Sequence, residues 1–402
     1  MLTMTTTIWF IQEITPMFQL AARLQDTVPF YAVELFKEAV AMQANGINVI
    51  SLGIGEPDFT AAPQVVDAME QAAAHGRSGY SAPAGLQALR EAIAEHYATH
   101  LGAQVDPSRV IVTSGASGAL LLAALSLINP GDEVLMPDPS YPANRNFISA
   151  AGGISRLIPT TAQARYQLCA DDIERHWRPA TKGILIASPS NPTGTSIDHE
   201  ALVPLLDAVR ARGGFVMMDE IYLGLSYDQA PRSALALDDN LIILNSFSKY
   251  FHMTGWRLGW MIVPSRMVAS VEKLAASLAI CAPTLAQHGA LACFEPETLK
   301  VFEQRKDAFR LRRDYLVPAL ESLGIRVPVK PDGAFYVFGD VSAHTGDSAH
   351  FSTELLHRAH VAAVPGIDFG FAHAKASMRF AYTTGLDKLE EAVDRMRRYL
   401  LA

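Results

Sequence analysis

Between about residues 110 and 263 the chain alternates short, nearly all-apolar β-rich runs with helical stretches, and this alternation limits the fold more than any other feature. The runs are VIVTSG (110–115), EVLMPD (133–138), ISRLIP (154–159), GILIASP (183–189), FVMMDE (215–220), LIILNSFS (241–248) and LGWMIV (258–263). Most are continuously apolar, as expected of strands covered on both faces. Helical segments such as SGALLLAALSLI (117–128) and HEALVPLLDAVRARG (199–213) lie between several of them. Such alternation implies an α/β fold: a largely parallel sheet with helices on both sides. Too few residues separate the last two runs for a crossover helix, so the final strand is expected to run antiparallel.

Polar and glycine residues collect where these runs end, in TSGASG, DPSYP, SPSNPTG, DEIY and SFSK. In open α/β sheets the ligand sits outside the carboxyl ends of the strands, so five strand ends point toward one crevice. After about residue 290 a long charged amphipathic stretch precedes GAFYVFGDV, a helix and SMRFAYTT, the pattern of a smaller α+β domain. The N-terminal INVISLGIGEPDF is expected to complete it. The expected division is residues 1–60 joining the small domain, 61–290 as the large domain and 291–402 as the small domain. No internal repeat, low-complexity tract or Pro-rich linker is visible.

The 402 residues are 50% apolar and 18% charged, which describes a globular chain. A net charge of -8 supplies no basic excess for phosphates, so neither nucleic acid nor an anionic membrane surface is expected as a partner. Cys169, Cys281 and Cys293 form no Cys-x-x-Cys pair and are expected to be reduced, buried structural thiols. The N-terminus carries no basic residue before its short apolar run, so neither a signal peptide nor a membrane span is expected, and the chain reads as cytoplasmic. Met17 offers an alternative start that would make residues 1–16 a dispensable extension.

Several chemistries are excluded or disfavoured. GIGEPD begins like a dinucleotide loop, but Asp58 stands where the third glycine belongs. There is no Walker A sequence and no Gly-x-Ser-x-Gly elbow. His96 and His100 lie four apart on a probable helix without a further ligand, so a solvated helix face is expected instead of a metal. What remains suits an anionic, aromatic, carbonyl-bearing cofactor. SGASG follows a strand and opens a helix, whose free N–H groups form an anion site. Ser117, Ser246, Ser248 and Arg257 add hydroxyl and guanidinium donors. Asp219 ends an apolar strand, where a buried carboxylate demands a cation. Lys249 sits among large apolar side chains, either as a stem lying over the surface or as an amine held out of water for chemistry.

The segments GEPDF, SNPTGT, DEIY and SFSKYFHMTGWRLGW, in this chain order, resemble those of class I/II aminotransferases, pyridoxal-phosphate enzymes of fold type I. The spacings agree: 28 residues from Asn191 to Asp219, 30 from Asp219 to Lys249 and 8 from Lys249 to Arg257. The resemblance covers nearly all of the chain from about Leu20. It implies pyridoxal 5'-phosphate as cofactor, held as a Schiff base by Lys249, which then moves the proton between Cα and C4′. Asp219 would pair with the pyridine nitrogen, Asn191 and Tyr222 would bond the 3′-oxygen, and Tyr141 would stack on the ring. The phosphate would be held by the backbone N–H of Ala116 and by Ser117, Ser246, Ser248 and Arg257. Tyr80 resembles a tyrosine that reaches the neighbouring subunit's phosphate, which implies a homodimer with shared active sites. Arg379 would clamp the substrate α-carboxylate with help from the N–H of Gly55.

The implied activity is transfer of an amino group from an L-amino acid to a 2-oxo acid by a ping-pong mechanism. A carbon–sulfur β-lyase of the same fold is the alternative, because the same lysine and electron sink serve both. A ligand-sensing regulator is disfavoured by the acidic charge and by a resemblance that starts by about residue 20. Ser117 stands where some similar enzymes carry a lysine that recognises acidic substrates, and SLAICAPTLAQHGA (277–290) offers no arginine for a distal carboxylate. A neutral or apolar amino donor is therefore expected.

Overall fold

The computed structural model describes residues 19–24 and 30–401, so the candidate start at Met17 and the extension before it lie outside the described residues. Twelve strands follow in chain order: β1 Ile50–Ser51, β2 Val110–Thr113, β3 Glu133–Asp138, β4 Ile154–Pro159, β5 Thr181–Ala187, β6 Phe215–Asp219, β7 Ile242–Ser246, β8 Gly259–Ile262, β9 Tyr336–Asp340, β10 Val361–Ala362, β11 Val364–Pro365 and β12 Ser377–Ala381. Seven of them form one sheet in the order β2-β8-β7-β6-β5-β3-β4. The seven apolar runs read from the sequence are these seven strands. Only β8 is antiparallel to its neighbours, as the short link after β7 required.

The continuous apolar runs are explained by which way each residue faces. Ile184 and Ile186 of β5, Val216 and Met218 of β6 and Ile243 of β7 enter the larger core cluster. Their alternating neighbours Leu185, Met217, Ile242 and Leu244 enter the other. Successive strand side chains point to opposite faces, so both parities must be apolar when helices cover both sides. The Gly115–Leu127 helix closes one face with Ala119, Leu122 and Ala123. The His199–Arg210 helix closes the other with Leu202, Leu205 and Leu206.

Beside this sheet, β11, β12 and β9 form a three-stranded antiparallel sheet, and β1 pairs in parallel with β10. The Pro296–Ser322 helix joins the larger core through Phe302, Phe309 and Leu316. The segment after β1 runs along β12: Ala381 N donates to Leu52 O at 2.7 Å, and Thr383 Oγ1 donates to Ile54 O at 3.0 Å. That contact carries the Gly53–Gly55 loop to the carboxyl edge of the large sheet. Among the described residues no helix is long and apolar enough to cross a membrane.

Two minor expectations are corrected. His96 is buried, stacked on His100 at 4.8 Å and packed near Phe251 and Phe294, because its side of the Gln87–His100 helix faces the core. Of the three free cysteines only Cys293 is buried, while Cys169 is exposed at the start of a short helix.

Gly259 opens β8 where the turn after β2 passes overhead. A Cβ there would lie 2.7 Å from Asn245 O, 2.7 Å from Gly115 C and 2.8 Å from Ala116 N, all backbone atoms that cannot step aside cheaply. Gly259→Ala is expected to destabilise the protein by about 1–3 kcal/mol, read as a lowered melting temperature. An unchanged melting temperature would contradict this packing.

Candidate active site

The carboxyl ends of β2, β3, β5, β6 and β7 meet at one cleft of about 550 Å³. Its lining includes Gly55, Ala116, Ser117, Tyr141, Asn191, Asp219, Tyr222, Ser246, Ser248, Lys249, Arg257 and Arg379. Twelve of the thirteen residues singled out in the sequence are thus brought together. The thirteenth, Tyr80, is 82% exposed and lies outside the cleft lining.

Lys249 is half-buried with its amine turned inward, not a surface stem. Its Nζ donates to Gly55 O at 2.7 Å and lies 5.9 Å from the Tyr222 ring and 5.7 Å from the Phe335 ring. Burial lowers its pKa to about 8; Glu56 and Asp219 oppose the fall, and Arg379 and Arg257 add to it. Asp219 closes β6 and accepts from Ile221 N at 3.0 Å. Burial raises its pKa to about 6, against the pull of that N–H and of Lys249. No cation lies within ion-pair distance of Asp219 among the described residues.

At the next strand end, Ser114 precedes the Gly115–Leu127 helix and makes no side-chain capping bond, so the first N–H groups of the helix are open. Gly115 adopts φ +72°, and a Cβ on it would meet Arg257 Nη2 at 2.7 Å, so glycine lets the guanidinium lie against the helix start. Arg257 itself holds φ +52° and donates to Thr254 O at 2.9 Å. A bulky residue in that backbone region is strained, and such outliers collect at functional sites. Ser246 Oγ donates to Ser248 Oγ at 2.9 Å, and both hydroxyls are buried. An uncapped helix start, two hydroxyls and a guanidinium make a cup for a dianion.

Across the cleft, Arg379 is 4% exposed. Its Nη1 donates to Asn191 Oδ1 at 2.8 Å and its Nη2 donates to Gly53 O. Its guanidinium carbon lies 4.4 Å from the Tyr336 ring centre and 4.9 Å from that of Phe369. Its Nε is buried without a partner. A buried guanidinium with an unsatisfied donor is suited to a carboxylate ligand.

Residues 47–396 match the family model for aminotransferase class I and II. The chain belongs to that family. It is 37% identical over 375 residues to a valine–pyruvate aminotransferase of Mycobacterium tuberculosis, covering 92% of this chain and 96% of that protein. It is 33% identical over 394 residues to an aspartate aminotransferase of Geobacillus stearothermophilus, covering 96% and 99%. An aminotransferase crystal structure from Mycobacterium tuberculosis superposes with a TM-score of 0.92 at 36% identity, covering 96% of this chain and 99% of that one. The Thermus thermophilus aspartate aminotransferase with maleate gives 0.90 at 31%, covering 95% and 100%. The fold is therefore fold type I, and this family member is an aminotransferase.

Sequence reasoning missed Tyr336, whose hydroxyl lies 2.8 Å from that of Tyr222, and Asp368, which accepts from Tyr31 N and Ala32 N at 2.9 and 3.3 Å. It also missed Phe30, Val33 and Phe36, which line one wall of the cleft. The strand pattern of GAFYVFGDV announced burial of Tyr336 but not which residue it would meet.

A raised carboxylate pKa means the folded state binds its proton more tightly, so stability falls as pH rises from about 4 to about 6. Asn cannot ionise. Cofactor-free Asp219→Asn is expected to exceed cofactor-free wild type in stability by about 2 kcal/mol at neutral pH, with the gap closing below pH ~4. Urea unfolding at both pH values checks this; an Asn variant weaker than wild type at neutral pH contradicts it.

Proposed function

We propose that the protein is a pyridoxal-phosphate-dependent aminotransferase that moves an amino group from a neutral, apolar L-amino acid to a 2-oxo acid by a ping-pong mechanism. The observation that carries this is an amine of lowered pKa, Lys249, in one cleft with a dianion cup and a buried arginine whose Nε has no partner.

The donor set fits pyridoxal 5'-phosphate. Ala116 N–H, Ser117, Ser246, Ser248 and Arg257 would take the phosphate, and Asp219 gains the cation its burial lacks from a protonated ring nitrogen. Asn191 and Tyr222 would take the ring oxygen, and Tyr141 the ring face. When bound, the cofactor supplies an electrophilic carbon and a ring that accepts the electron pair left at the substrate Cα.

The protein's own work is binding, orientation and proton transfer. Arg379 holds the α-carboxylate, with the N–H of Gly55 close by, and so fixes the Cα against the ring. Lys249, poised near neutrality by burial, takes the Cα proton and returns one on the other side of the transfer. Both half-reactions use the same fork, so donor and acceptor share one cleft in turn.

Apolar donors are favoured by Phe30, Val33, Phe36 and Phe369, which give the cleft apolar lining. Among the described residues the lysines and arginines lining the cleft are Lys249, Arg257 and Arg379, each with a duty already. Among the described residues lining the cleft no further cation awaits a second carboxylate. The valine–pyruvate name of one relative supports the same choice, although relatives named for aspartate exist. The same reading places the enzyme in the cytoplasm, divides it after residues 60 and 290, and makes it a homodimer in which exposed Tyr80 reaches the other subunit's phosphate.

Lys249→Ala is expected to lower kcat by at least about 100-fold and to abolish borohydride fixation of the cofactor. Retained turnover would overturn the assignment. With pyruvate as acceptor, kcat/KM for valine-like donors is expected to exceed that for aspartate by about 100-fold or more, since an unpaired carboxylate resists an apolar site. A preference for aspartate refutes the donor class. Pyruvate released from cysteine conjugates without any 2-oxo acid acceptor favours a β-lyase instead.

A further inference from the structure

The register of the small antiparallel sheet pairs Arg379 on β12 with Phe338 on β9. Residues two apart on a strand share a face, so Tyr336 becomes the diagonal neighbour of Arg379. That is why the guanidinium lies over the Tyr336 ring, 4.4 Å from its centre. The ring thus backs the fork.

The hydroxyl at the far end of the same ring lies 2.8 Å from the Tyr222 hydroxyl. Tyr336 is 1% exposed, and Tyr222 is its one hydrogen-bond partner among the described residues. A buried phenol keeps its proton on an acceptor that lies within reach. Either oxygen of the pair can donate; with Tyr336 donating, the Tyr222 oxygen is that acceptor and the Tyr222 proton is free to point into the cleft that Tyr222 lines. The position of the Tyr336 hydroxyl is confined as well: a Cβ on Gly55 would fall 1.9 Å from it, so only glycine lets the two approach.

We propose that Tyr336 is a positioning residue with two separable functions: its ring supports the Arg379 fork, and its hydroxyl donates to Tyr222 so that Tyr222 presents its own proton to the cofactor ring oxygen. The inference rests on the proposed function above. No bond is made or broken at Tyr336; it acts through its two neighbours. The other charged and titratable groups facing the pair are Tyr141 and Arg379, Lys249 from the loop after β7, and Asp219 at the end of β6, all of which a Phe substitution leaves in place.

The test uses holoenzyme and four variants: Tyr336→Phe, Tyr336→Leu, Tyr222→Phe and the double Phe variant. Two quantities are read, the pH midpoint of the cofactor absorbance and the donor KM. Hydrogen bonds to the ring oxygen favour its charged form and so weaken proton binding beside it; losing one raises the midpoint. Tyr336→Phe is expected to raise the midpoint by about half to one pH unit, the worth of one hydrogen bond, with donor KM within about twofold of wild type. Tyr336→Leu is expected to show the same midpoint and a donor KM raised about tenfold, because the ring is gone too. The double variant is expected to match Tyr222→Phe alone, since the Tyr336 hydroxyl acts only through Tyr222.

An unmoved midpoint in Tyr336→Phe, or additive shifts in the double variant, overturns the hydroxyl function. An unmoved KM in Tyr336→Leu overturns the ring function. If the Leu variant does not fold, the three Phe variants still decide the hydroxyl function, and Tyr336→Met, which also removes the ring, supplies the ring test with the same expected rise in donor KM. A wild-type protein without a titrating cofactor absorbance overturns the proposed function and this inference together, whereas a titrating wild type with unmoved variants overturns this inference alone.

Discussion

Removal of water from the carboxyl edge of the large sheet is the constraint on which the site depends. Asp219 is buried there and Lys249 half-buried, and loss of water pushes each toward its neutral form. Opposite charges in one dry cleft would normally pair. Here they do not: the amine rests on Gly55 O and the carboxylate on Ile221 N. A direct ion pair would raise the lysine pKa and lower that of the aspartate, fixing both in charged forms useless for proton transfer. Keeping them apart costs stability in the cofactor-free chain and leaves each available to a ligand.

Topology delivers these groups with few loops. Parallel strands put every carboxyl end on one side, so β2, β3, β5, β6 and β7 supply Ser114, Ser140, Ser188, Asp219 and Ser246 to a common edge. The antiparallel return of β8 matters as much. Because β8 begins where β7 ends, the whole connection from Phe247 to Leu258 stays at that edge. Lys249 and Arg257 lie on this one short crossing, and its left-handed residues His252 and Arg257 show how tightly it is folded.

That geometry explains what was legible in the sequence. Strand existence followed from apolar runs, and the strand ends followed from polar residues collected after them, so the cleft could be located before any contact was known. The sense of β8 followed from chain length alone. Long-range side-chain partners were not legible. Tyr336 lies 114 residues from Tyr222, and no local pattern says that their hydroxyls meet. The helix Tyr31–Ala44 was passed over for a related reason: its apolar positions look like ordinary amphipathic packing, yet Val33 and Phe36 line the cleft. His96 was misplaced because four-residue spacing fixes a shared helix face but not whether that face looks outward.

The Gly53–Gly55 loop joins the two halves of the site. Gly53 O accepts from Arg379, Ile54 O from Thr383 and Gly55 O from Lys249, so three successive carbonyls hold the fork, its strand and the amine. The loop has little freedom to move one of these without the others, and a side chain at 55 would run into the Tyr336 hydroxyl. In the proposed reaction a substrate carboxylate arriving at Arg379 would also remove part of the positive field that lowers the Lys249 pKa. The amine would then hold a proton more firmly once substrate is seated. The arrangement therefore favours a lysine that holds its proton loosely while the fork is empty and accepts the Cα proton more readily when the fork is filled.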